Sequence, residues 1–270
     1  MTVNEIMSSI RKAWLDVEEE LLEYLRMKEI PPIKIDFCVE NNAAWNMKSN
    51  PEPPYRIVCF HGIYYAISDA LDEFNIEDNK KEEYAFTLLK MILWHEIFHI
   101  LLGHKITKED KERIKRDNDE IVLRQLEYIA DGMAIRTYMP FIITKKEGLQ
   151  YEKEMSQFLT LLYAYYLKMD NQEKVIGVPT DHPQSNVRLE LLLMCASGFI
   201  TEWNSIVPEK TIDFGLLCDL CSINLERANI EKCISEIDLA DEVQKIVDIN
   251  YEHWIWKKCI NPTDNEFCFK

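Results

Sequence analysis

The chain has 270 residues, 47% of them hydrophobic, and a formal net charge of −16. Such a length and apolar content support one sizeable core, or a core with an appended subdomain. An acidic surface argues against nucleic acid or an anionic membrane as the main partner. Glycine is scarce at 7 residues and helix formers are plentiful, so a mainly helical protein is expected. Met1-Thr2-Val3-Asn4-Glu5 lacks the basic start and apolar core of a signal peptide, and the eight cysteines are scattered. Both features suit free thiols in a reducing, cytoplasmic setting.

In chain order, Ile6, Ile10, Trp14, Val17, Leu21 and Leu25 recur at helical spacing and predict an amphipathic helix that Pro31-Pro32 stops. Ile33 to Val39 alternates strictly and predicts a half-buried strand. Asn41 to Pro54 reads as loop with a short strand at Ala43 to Met47. Arg56 to Ile67 reads as two strands turning at His61-Gly62, and Ser68 to Phe74 as a short helix. A small, mostly antiparallel sheet is thus expected ahead of Tyr84 to Gly103. That segment is an unbroken apolar run and predicts one buried helix, started near Asn79 and capped by Gly103.

Lys105 to Arg116 mixes charges of both signs and predicts a solvated connection. Further helices are predicted over Glu120 to Tyr138, ended by Pro140, and over Glu152 to Met169, Ser185 to Ala196 and Leu239 to Trp256. The expected fold class is α+β, mainly helical. The expected organisation is a domain over residues 1–198 with a helical extension over 199–270. The most apolar helix carries Lys90, His95, Glu96 and His99, so no transmembrane segment is expected.

The chemistry-bearing stretch is His95-Glu96-Ile97-Phe98-His99, an H-E-x-x-H pattern. Residues four apart on a helix differ by only about 40° in azimuth, so His95 and His99 face one point and can hold Zn²⁺. Glu96 lies about 100° from His95, where it can take a proton from a water whose pKa the metal lowers. A third ligand is needed. A histidine in the H-E-x-x-H-x-x-G-x-x-H register is excluded, because position 102 is Leu and position 105 is Lys. His104 reads as a hydrogen-bonding residue at the helix end.

Glu127 and Asp131 share one face of an otherwise apolar helical stretch with no basic residue between them. Glu127 is the expected third ligand, and Asp131 the expected partner of a ligand histidine's far nitrogen. Cys218 and Cys221 form a single C-x-x-C, read either as helix-packed thiols or as a separate metal or redox site. His182, directly before the helix start at Pro183 and Ser185, is either an oxyanion donor or an ordinary loop histidine.

Taken in order, His95-Glu96-x-x-His99, Glu127-x-x-Ala130-Asp131 and Asp181-His182-Pro183-x-x-x-x-Arg188 resemble the gluzincin metallopeptidases of the CAAX prenyl protease and HtpX heat-shock protease type. Asn42-Ala43 is similar to the Asn-Ala that opens the substrate-side edge strand in that family. The resemblance covers roughly residues 33–196 and implies a zincin-like fold, a Zn²⁺ cofactor and a peptide or protein substrate. It also implies His182 as a catalytic donor and Arg188 as a buried partner of an acid such as Asp131. The family's members usually carry transmembrane helices, and none is expected here. A soluble chain of this kind is also similar in architecture to the phage-exclusion Lit peptidases. The expected function is a zinc-dependent endopeptidase acting on an intracellular protein. The alternative is a non-catalytic metallopeptidase-fold module with a binding or regulatory role.

Overall fold

The computed structural model describes residues 2–144, 151–176, 183–228 and 236–259. Helix α1 (Val3–Met27) starts at a capping box. Thr2 Oγ1 accepts from Glu5 N at 3.3 Å, while Thr2 N donates to Glu5 Oε2 at 2.6 Å. Its apolar stripe, from Ile6 to Leu25, is buried. Three strands follow: β1 (Ile35–Glu40), β2 (Met47–Asn50) and β3 (Tyr55–Phe60). Their order is β1-β3-β2, with β1 parallel to β3 and β2 antiparallel to it.

The sheet is therefore mixed, which corrects the mostly antiparallel expectation. The second strand lies at Met47–Asn50 and not at Ala43 to Met47. No hairpin turns at His61-Gly62. Helix α2 (Ile63–Glu73) begins there instead. Glycine is required at 62 for a different reason: a Cβ would stand 2.1 Å from the carbonyl oxygen of Ala43.

Helix α3 (Asp78–Leu101) is buried over most of its circumference, including Leu88, Leu89, Met91, Leu93, Trp94 and Ile97. It packs against α1, α2, β2 and β3. A helix so enclosed needs partners for its polar groups. Buried Lys90 pairs with Glu20, which also accepts from Trp94 Nε1 at 3.2 Å. Together these bonds tie α1 to α3.

The charged run after α3 is the solvated connection expected, and it takes the form of helix α4 (Lys108–Asp117). Thr107 and Asp110 form a capping box, acids fill the first turn and bases the last. Only Ile114 in it is buried, and it anchors the helix in the cluster with Val122, Leu126 and Trp256.

Helix α5 (Ile121–Thr144) runs through Pro140 and does not stop before it. Met139 and Ile143 are buried in the main core on either side, and their burial offsets the roughly 3 kcal/mol that an interior proline costs. Helix α6 (Tyr151–Ile176) and helix α7 (Ser185–Ile206) follow, both longer than their apolar patterns predict. Residues 198 and 199, where the sequence suggests a division, lie inside α7.

Helix α8 (Phe214–Arg227) packs on α6. The single helix expected over Leu239 to Trp256 is two, α9 (Glu236–Val247) and α10 (Trp254–Cys259). Between them Asn250 Oδ1 accepts from Glu252 N at 3.1 Å, a side-chain turn that competes with helix. Trp256 and Ile255 join Ile114, Val122, Leu123 and Leu126 in a satellite cluster over α4 and α5. Among the described residues no helix is long and apolar enough to cross a membrane.

Candidate metal centre

Helix α3 presents His95 and His99 on one face, and α5 presents Glu127 and Asp131 on the face opposite. Ala130 and Ala134 are fully buried between the two helices, where small side chains allow close approach. His95 Nε2 and His99 Nε2 lie 3.0 Å apart. Glu127 Oε2 is 3.2 Å from His95 Nε2, and Glu127 Oε1 is 3.5 Å from His99 Nε2. A tetrahedron with ligand bonds of 2.0–2.1 Å has edges of about 3.3 Å, so the two imidazoles and the Glu127 carboxylate are near enough to one another to hold one metal ion. Among the described residues they form the one group of three or more such donors near enough to hold an ion. The side chains are 7%, 12% and 13% exposed, which screens their charges little from one another.

Behind His95, its Nδ1 lies 2.7 Å from Asp131 Oδ1. Arg188 forks onto the same carboxylate, Nε to Oδ2 at 2.7 Å and Nη2 to Oδ1 at 2.9 Å. The Tyr166 hydroxyl donates to Oδ1 at 3.1 Å, and the guanidinium lies over the Tyr166 ring, 3.6 Å from its centroid. Burial would raise the Asp131 carboxyl, but Arg188 and His95 hold it well below the usual carboxylate range. Burial would likewise lower His95, but the carboxylates of Asp131 and Glu127 raise it to about 10. A metal would replace that proton.

Behind His99 the partner is neutral. His99 Nδ1 is 2.9 Å from His104 Nδ1. Burial, and then the neighbouring His99, push His104 well below the ordinary histidine value.

Glu96 is half-buried and lines a cleft of about 580 Å³ together with His95, His99 and Glu127. One wall of the cleft is β2, an edge strand, with Asn46 just before it. Asp170 accepts from Ser185 N at 2.7 Å, capping α7 about one turn before Arg188.

The structure thus brings Glu96, His95, His99, Glu127, Asp131 and Arg188 together. His182 and its neighbour Asp181 lie outside the described residues. Cys218 and Cys221 both stand on α8. Cys221 is buried, with its thiol 3.9 Å from the Ser156 carbonyl oxygen, and neither belongs to a cluster of metal donors among the described residues. Tyr166 and Asp170 escape the sequence reading. The available signal for Tyr166 is a tyrosine in a strongly apolar helical stretch, since a buried hydroxyl demands a partner. No family model, no curated protein and no solved structure matches the chain significantly, so the site speaks through its own geometry alone.

Proposed function

We propose that the chain is a zinc-dependent endopeptidase of gluzincin type with a zincin-like fold, acting in the cytoplasm on a protein or peptide substrate. His95, His99 and Glu127 would hold the ion, and this two-nitrogen, one-carboxylate set suits zinc with a position left open. The observation that carries the reading is the convergence of those three donors, close enough to hold one ion, beside Glu96 in one cleft. Zinc, when bound, supplies Lewis acidity towards water and the scissile carbonyl.

Glu96 takes the proton of the attacking water and returns it to the leaving amine nitrogen. The Asp131 carboxylate keeps the proton of His95 on Nδ1, which leaves the Nε2 lone pair for the ion. Edge strand β2 offers unpaired backbone groups to an extended substrate running past Glu96. His182 is assigned the oxyanion-donor role on sequence grounds.

The test combines metal analysis with substrate capture. Wild-type protein should hold one equivalent of zinc, Glu127→Ala should lose it, and Glu96→Gln should keep fold and zinc without hydrolysis. Comparing the proteome of cells expressing wild type with that of cells expressing Glu96→Gln should show cleavage products only in the former. Identical proteomes with full zinc loading would favour the non-catalytic module, and undiminished zinc in Glu127→Ala would remove that ligand.

A further inference from the structure

Helix α3 ends in a left-handed turn. Leu102 is the last half-helical residue and Gly103 follows with φ 63°. Gly103 N donates to the Ile100 carbonyl at 3.1 Å, and His104 N donates to the His99 carbonyl at 2.9 Å. This pair of bonds is the Schellman arrangement, which brings the residue two beyond the cap against the residue three before it. Those two positions commonly carry an apolar contact. Here they carry His104 and His99, with ring centroids 5.1 Å apart and Nδ1 atoms 2.9 Å apart.

The proton between the two Nδ1 atoms has a direction once His99 serves as a ligand. Nε2 of His99 faces His95 and Glu127 and must offer a lone pair there, so its proton sits on Nδ1. Nδ1 of His104 must then accept, and His104 carries its own proton on Nε2. That Nε2 is buried and has no hydrogen-bond partner among the described residues. A buried donor left unsatisfied is a cost that an apolar side chain here would avoid. An imidazole in this place is explained by the use made of its other nitrogen.

We propose that His104 is a positioning residue of the metal centre, accepting a hydrogen bond from His99 Nδ1–H and so fixing the tautomer and ring direction with which His99 meets the ion. The inference rests on the metal-binding reading of His95, His99 and Glu127. It makes His99 the ligand with a neutral backing acceptor, whereas His95 has a carboxylate.

The experiment uses the full chain as wild type, His104→Leu and His104→Asn, with Zn²⁺ affinity read by competition with a chromophoric chelator. The thermal midpoint of each metal-free protein is measured beside it. Asn places Oδ1 where His places Nδ1, one bond from Cγ, so it keeps the acceptor. Leu keeps bulk and removes it. His104→Leu should bind zinc about 10–100-fold more weakly, while its metal-free midpoint stays level or rises. His104→Asn should recover most of the lost affinity. Should Leu unfold the chain, His104→Phe takes its place with the same expected loss of affinity.

Zinc affinity equal to wild type in His104→Leu overturns the proposal. So does an equal loss in Leu and Asn variants with lowered midpoints, which assigns His104 to packing. A wild-type protein that binds no zinc overturns the metal reading itself, and the inference with it.

Discussion

The two imidazoles that face Glu127 are held by opposite means. His95 backs onto a charged unit, Asp131 with Arg188 and Tyr166, drawn from α5, α7 and α6. His99 backs onto a neutral imidazole delivered by the turn that ends its own helix. One flank is tertiary and needs three helices in register. The other is local and needs one helix cap. The difference teaches that i,i+4 spacing sets only where two rings point. What holds each ring is solved separately, and the two solutions fail differently.

The largest effect should come from the charged flank. Arg188→Leu leaves Asp131 buried without its counter-charge and should destabilise the fold by about 3–5 kcal/mol, read as a fall in the urea midpoint. Arg188→Lys should lie between the two, because an ammonium cannot fork onto both carboxylate oxygens. A Leu variant as stable as wild type would remove the contrast between the flanks.

The next effect is a matter of sign. His95 is raised to about 10 from an ordinary value near 6.5. A raised histidine contributes stability that is complete below the unfolded value and is lost as pH climbs through the folded one. The metal-free protein should therefore lose thermal stability between about pH 6.5 and 10, and His95→Asn should lose less across that window. Zinc should reverse the trend, since protons compete with the ion for the same nitrogen and apparent affinity rises with pH. A metal-free midpoint that rises over that window would contradict the ion pair with Asp131.

The smallest effect tests the local flank. Gly103→Ala forces a side chain into a left-handed conformation at about 1–2 kcal/mol. Because the same turn aims His104 at His99, zinc affinity should fall along with stability. Lost stability at full zinc affinity would separate the cap from the ligand it supports.

Residues within one helix were legible from spacing. His95 with His99, and Glu127 with Asp131, share faces by the 3.6-residue period, and the acids on an apolar stretch already asked for a cation. Other local signals misled. The glycine of His61-Gly62 suggested a hairpin, but it answers to the Ala43 carbonyl pressing from an earlier loop. Pro140 suggested a helix end, but the buried residues flanking it carry α5 onward. The parallel pairing of β1 with β3 was equally hidden, because it depends on β2 crossing to the far side of β3.

The sequence by itself determined that His95 and His99 share one face of α3 with Glu96 beside that face, and that Glu127 and Asp131 share one face of α5, because backbone periodicity is a local property. Only the tertiary structure decided how those acids are held. Asp131 meets Tyr166 across 35 residues and Arg188 across 57. Burying that carboxylate is tolerable only when packed helices bring a cation and a hydroxyl to it, and no spacing along the chain encodes which helices will pack.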